Sequence, residues 1–250
     1  MASGVVLAAA GLAVVWAGGA WLTGFVALAV GLMLWEAASI TAPGRPREGA
    51  LIGIAGAGLL AAVIARHDPF ALPLLAVPAL AGAIRLRGDR AGFALVALAV
   101  MVAGYAIIGF RAAMGLGFVL WIVAVVAAAD LGGYFGGRLL GGPKFWPRLS
   151  PKKTWSGTLT GWLSAAAFGA AFAAAGAAPV WAVPFSVLVA LASQMGDIGE
   201  SAFKRRAGVK DASRIIPGHG GVLDRFDGMA GALVFLLAWG LAFPRPDIGF

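Results

Sequence analysis

A chain of 250 residues that is 61% hydrophobic and only 12% charged cannot present the polar surface of a water-soluble globule, and its apolar runs leave no stretch for a separate soluble domain. With no Cys, disulfides, thiolate metal ligands and a thiol nucleophile are excluded. The net charge of +8 reads as the Lys/Arg excess of membrane loops with anionic lipid as its partner; nucleic acid is not expected, because aromatics do not interleave with the basic residues in any hydrophilic stretch.

The N-terminal MASGVVLAAAG has no basic leader region, and its apolar stretch continues past any small-residue cleavage site, so it reads as a retained span. Turn residues and charges then divide the chain into apolar segments near 4–19, 21–40, 50–65, 70–84, 91–110, 115–136, 157–175, 179–200 and 228–243. The sequence therefore predicts an all-α, polytopic integral membrane bundle of about nine transmembrane helices. Eight is the alternative if the block broken by Gly18, Gly19 and Thr23 is one long span. One membrane domain, 1–250, is expected, with 1–114 as scaffold or lipid pocket and 115–250 as catalytic spans and loops.

The loops sort by charge. Sixteen of the 19 Lys and Arg residues fall on one side, leaving Arg66, Arg111 and Arg245 opposite. The positive-inside rule makes the basic side cytoplasmic, with the N-terminus outside and, for nine spans, the C-terminus outside as well. The two long polar loops, 139–156 and 203–227, both belong to the basic side. Neither a repeat nor a low-complexity linker is apparent.

In chain order, the first motif is DLGGYFGGR, with Asp130 deep in a span and Gly132, Gly133, Gly136 and Gly137 baring one helix face to a ligand or to another helix. An ionisable residue within a span is functional by default, although Arg138 offers Asp130 a structural partner. Tyr134 is either a base-binding group or an interfacial anchor. Next, SPKKTWSG offers Ser150, Lys152, Lys153 and Thr154 before a span: a basic topological flank, or a clamp for triphosphate oxygens. It has no Walker pattern.

The densest chemistry lies between Gln194 and Asp227. Asp197 and Glu200, spaced i and i+3, share a helix face and repel unless a cation lies between them. Lys204 at i+4 from Glu200 offers a plainer reading, a helix-surface ion pair worth tenths of a kcal/mol. Asp224 and Asp227 repeat the arrangement in LDRFD, after the flexible PGHGG. Carboxylate oxygens of Asp197, Glu200, Asp224 and Asp227 suit Mg²⁺, which takes one or two protein carboxylates plus phosphate oxygens. His219 is a phosphate donor, a ligand or a packed loop residue.

The segment from Ser201 to Asp227, together with QMGDIGES, SPKKTW and DLGGYFGGR, resembles the phosphatidate cytidylyltransferases, also called CDP-diacylglycerol synthases. The likeness covers roughly the C-terminal half; the N-terminal spans match only as hydrophobic helices. It implies transfer of a cytidylyl group from CTP to phosphatidic acid, giving CDP-diacylglycerol and pyrophosphate, with a divalent metal, at the cytoplasmic face of the cell inner membrane. Asp197, Asp224 and Asp227, helped by Glu200, are then expected to support one or two cations, Mg²⁺ and a second. Lys152, Lys153, Lys204, Arg205, Lys210 and Arg225 are expected to neutralise phosphates, and Asp211 and His219 fall in the same signature. Where the family commonly has Glu, this chain has Ser156. A homodimer is left open. The rival readings are a CTP-dependent lipid or polyprenol kinase and an ion or phosphate transporter.

Overall fold

The computed structural model describes residues 2–243 apart from Arg148, Pro217 and His219. Among them are nine α-helices: α1 Ala2–Ala17, α2 Gly19–Thr41, α3 Pro46–Arg66, α4 Val77–Arg85, α5 Arg90–Ala113, α6 Gly115–Leu140, α7 Trp155–Ala174, α8 Ala182–Arg206 and α9 Leu223–Ala242. A 3₁₀ turn, Pro69–Ala76, leads into α4. Six helices are long and apolar enough to cross a membrane, namely α2, α3, α5, α6, α8 and α9. The chain is thus an all-α, multi-pass membrane bundle. The other three expected spans fall on α1 and Pro69–Arg85, which are shorter, and on α7, an uncharged helix of mostly Ala, Gly, Ser and Thr that does not count among the six.

The break between α1 and α2 has a local cause. Gly18 and Gly19 both adopt positive φ, 65° and 50°, which a side chain disfavours, so the apolar block is two helices and not one. The Arg111 guanidinium at the end of α5 donates to the Val15 and Trp16 carbonyls, satisfying the open end of α1. The α1–α2 and α5–α6 turns therefore share one end of the bundle.

At the other end the basic loops meet. Arg45 donates to the Arg85 carbonyl, Arg206 pairs with Asp89 at 2.6 Å, and Lys153 pairs with Asp197. This grouping matches the charge sorting. The end of α1 lies beside Arg111, away from the basic loops, and nine spans, an odd number, would put the two termini on opposite sides and not both outside.

The loop read as 139–156 is shorter and more ordered than expected. Helix α6 runs on to Leu140, and an antiparallel hairpin follows, β1 Lys144–Trp146 with β2 Ser150–Thr154, pairing Lys144 with Thr154 and Trp146 with Ser150. An edge-to-face contact of Phe145 on Trp155, ring centres 4.7 Å apart, fastens the hairpin to α7.

Side chains form two cores. One joins α2, α3, α4 and α5 with the end of α8 and the segment leading into α9, around Leu34, Leu60, Phe93 and Phe203; the other joins α5 through α9 around Trp121, Ile122 and Val125. Trp121 is fully buried and donates its indole N–H to Ser186 across to α8. Many large apolar side chains point outward instead, Ile54, Leu80, Ile84 and Leu163 among them, as suits a hydrocarbon solvent.

Candidate active site

The glycine face of α6 takes a helix and not a ligand. The Thr160 hydroxyl on α7 donates to the Gly132 carbonyl at 2.9 Å, and a Cβ on Gly137 would lie 2.9 Å from Thr154 Oγ1. The close packing fixes the start of α7, where Thr154 is the N-cap and accepts from the Gly157 N–H at 3.1 Å. Ser156, which stands where a Glu was expected, bonds the Thr154 hydroxyl at 3.0 Å and the Gly141 carbonyl. It closes the hairpin onto the end of α6.

From this anchored cap Lys153 reaches Asp197, joining SPKKTW to QMGD; both side chains keep partial exposure, 27% and 35%. Lys152 is exposed and Ser150 half-buried in β2. Asp130, at the surface of α6, lies within electrostatic reach of both Asp197 and Lys153. Arg138 does not pair with Asp130. It donates to the Tyr134 hydroxyl at 2.9 Å, and Tyr134 is exposed.

Helices α8 and α9 cross through glycines. A Cβ on Gly196 would meet the Asp227 carbonyl oxygen at 2.5 Å and Gly231 Cα at 2.9 Å, so only the bare backbone permits the approach. This crossing brings Asp197 and Asp227 into one electrostatic neighbourhood with Asp130. Acidic groups from three helices thus gather below the hairpin.

Lys204 divides the expected carboxylate set. Its ammonium lies 2.7 Å from Glu200 and 2.5 Å from Asp224, and all three side chains are at most 10% exposed. The Glu200–Lys204 pair expected on a helix surface is therefore buried and continues into α9. Asp224 is fully engaged, since its second oxygen accepts from the Ala212 and Gly221 amides at 2.9 and 2.7 Å. It clamps the α8–α9 loop. Arg205 caps its own helix by donating to the Val209 carbonyl, whereas Lys210, Asp211 and Arg225 are exposed around the loop. His219 lies outside the described residues.

Among the described residues no three carboxylates or imidazoles converge closely enough to hold one ion by themselves. The donor set nevertheless fits Mg²⁺, whose shell is completed by water and phosphate oxygens. Asp197 and Asp227 lie within electrostatic reach of each other, and the buried Glu200, whose Oε2 meets Lys204, keeps an Oε1 without a hydrogen bond.

Beside these groups a cavity of about 690 Å³ runs between α5, α8 and α9. Leu95, Ala99, Leu188, Leu191, Val234 and Phe235 make its walls apolar, while Glu200, Asp227 and Arg206 also line it. Leu95 and Leu188 are exposed, so the groove opens on the flank of the bundle where lipid would lie.

Sequence reasoning missed two groups. Glu36 on α2 is completely buried and accepts three hydrogen bonds from the α8–α9 loop and the start of α9. Its signal was present, a carboxylate inside an apolar run. Asp89 caps α5 by accepting from the Gly92 N–H, which with Arg206 holds its carboxyl below the ordinary range against partial burial. Nothing in local sequence pairs position 89 with 206.

Residues 1–243 match the profile of the Cytidylyltransferase family. The chain is 34% identical to the phosphatidate cytidylyltransferase of Helicobacter pylori strain 26695 over 217 residues, 83% of this chain and 72% of that protein. It is 38% identical to that of Brucella suis over 136 residues, 54% of this chain and 50% of the relative, and 36% identical to that of Staphylococcus saprophyticus over 140 residues, 55% and 54%. The matched stretch thus spans about half the length of the Brucella relative.

Proposed function

The chain belongs to the cytidylyltransferase family, and from that premise we propose that it transfers a cytidylyl group from CTP to phosphatidic acid, releasing pyrophosphate and CDP-diacylglycerol. The observation that carries this reading is the junction of an apolar, flank-opening groove with the Asp130, Asp197 and Asp227 cluster under a lysine-bearing hairpin. A membrane-borne anion and a water-borne triphosphate can meet only at such a boundary.

A phosphate oxygen of the lipid attacks the α-phosphorus of CTP in line; the new P–O bond forms as the bond to the bridging α,β-oxygen breaks, and its electron pair leaves with pyrophosphate. The phosphate needs no general base at neutral pH. Lys153 and Lys152, on and beside the hairpin, draw the triphosphate to the helix ends, and Lys153 exchanges its contact with Asp197 for phosphate oxygens. Asp197 and Asp227 would hold Mg²⁺, with Glu200 and Asp130 close by. The ion supplies neutralisation of phosphate charge and a less basic leaving group. Lys204 and Asp224 position α8 against α9. The groove takes an acyl chain, and Arg206 at its mouth meets the lipid phosphate.

The protein lies in the cell inner membrane with its basic face toward the cytoplasm, where CTP is made. Purified protein in mixed micelles with Mg²⁺, phosphatidic acid and labelled CTP should yield a CDP-lipid and pyrophosphate in equal amounts. Release of CDP with a phosphorylated lipid would make it a kinase, and no CTP consumption would refute nucleotidyl transfer.

A further inference from the structure

Glu36 is the one carboxylate of α2, and it stands outside the acidic cluster just described. Its side chain is 0% exposed. Oε1 accepts from the Ser213 hydroxyl at 2.6 Å and from the Val222 amide at 2.9 Å, and Oε2 accepts from the Leu223 amide at 2.7 Å. Val222 and Leu223 are the cap and first residue of α9. A negative group there satisfies amides that the helix leaves open and lies at the positive end of its dipole. Gly221 is shaped to this contact, because a Cβ on it would fall 2.5 Å from Oε1.

We infer that Glu36 is a positioning residue for cytidylyl transfer, holding the α8–α9 loop and the first turn of α9 so that Asp227 faces Asp197. The reasoning is geometric. Asp227 lies one helical turn beyond Leu223, and Ala212, Val222 and Leu223 share an apolar core with α2, but among the described residues the other side-chain hydrogen bonds of the loop stay local: Asp224 ties it to α8 and to itself through Lys204, Ala212 and Gly221. Glu36 alone among these contacts fixes the α9 start to α2, a helix that contributes no group to the acidic cluster. The N-terminal half thereby acts on the reaction at a distance. This inference rests on the proposed activity for its kinetic arm only.

The test uses the full chain in mixed micelles with three variants, Glu36→Gln, Glu36→Ala and Ser213→Ala. Each is read by kcat and KM for CTP and phosphatidic acid, by unfolding temperature, and by hydrogen exchange of the amides at 222 and 223. Charge-assisted hydrogen bonds lost near a reacting centre predict a fall in kcat on the order of tenfold for Glu36→Gln and on the order of a hundredfold for Glu36→Ala. KM for CTP should stay within about twofold, because no substrate contact is removed. Exchange at 222 and 223 should quicken in both Glu36 variants, and Ser213→Ala should show a smaller fall in kcat with these amides still protected.

Wild-type kcat and wild-type exchange in a folded Glu36→Gln protein would overturn the inference. So would a loss of activity that tracks a fall in unfolding temperature with no graded order between Gln and Ala, since that marks general destabilisation. If Glu36→Ala does not fold, Glu36→Gln and Ser213→Ala decide the matter alone. Wild-type protein that makes no CDP-lipid defeats the proposed function, whereas the exchange readout still tests the anchor.

Discussion

Replacing Lys204 with Met tests how α8 is bound to α9. The side chains of Lys204, Glu200 and Asp224 are 10%, 5% and 7% exposed, and the ammonium contacts both carboxylates at 2.7 and 2.5 Å. An exposed i,i+4 pair contributes about 0.3–0.5 kcal/mol. Removing one partner from a buried arrangement costs roughly 3–5 kcal/mol, because the remaining charges have neither water nor a counter-ion. At about 2–4 °C per kcal/mol for a chain of this size, Lys204→Met should lower the unfolding temperature in detergent by on the order of 10 °C. Adding Glu200→Gln removes one of the stranded charges and should recover part of that loss. A shift below about 1 °C in the single variant, the size expected of an exposed pair, would refute the burial argument.

Asp197→Asn and Asp227→Asn should each reduce cytidylyl transfer by on the order of a hundredfold or more while the unfolding temperature stays near wild type; a fully active Asp227→Asn protein would remove the acidic cluster from the reaction. Gly231→Leu should disrupt the α8–α9 crossing, since even a Cβ there lies 2.5 Å from the Ala192 carbonyl oxygen and 2.8 Å from Gly196 Cα. Its cost is about 1–3 kcal/mol or more, and a stable, active variant would contradict the packing. Asp89, whose carboxyl is held low first by the Gly92 amide and then by Arg206, contributes stability that is present above its unfolded pKa and is lost as pH falls through its folded value. Melting curves from about pH 6 to about pH 3 should therefore converge on those of Asp89→Asn, and parallel curves would discount the latch.

The candidate site was legible in part for a physical reason. Charged residues in an oily chain are costly, so Asp130, Asp197, Glu200, Lys204, Asp224 and Asp227 announce themselves against their background. Helical spacing predicted that Glu200 meets Lys204, and it does. Spacing could not tell that Lys204 also takes Asp224, 20 residues on, whose second oxygen fastens the α8–α9 loop. Arg138 illustrates the reverse case, since its nearest hydroxyl, Tyr134, wins over Asp130. Glu36 carried the same signal as Asp130 but no motif, and so drew no notice.

Hydrophobicity and loop charge by themselves determined an all-α membrane bundle, the place of each helix though not its ends, with the segment read as 70–84 opening as a 3₁₀ turn before α4, and the grouping of basic loops at one end. These follow from transfer energies, which each segment meets on its own without reference to any other. Only the tertiary structure decided that the glycine face of α6 receives α7, that Gly196 and Gly231 let Asp197 approach Asp227, and that Glu36 holds the start of α9. Such contacts join residues as many as 187 positions apart. Which partner a buried polar group finds depends on how whole helices pack, and that information is absent from any one segment.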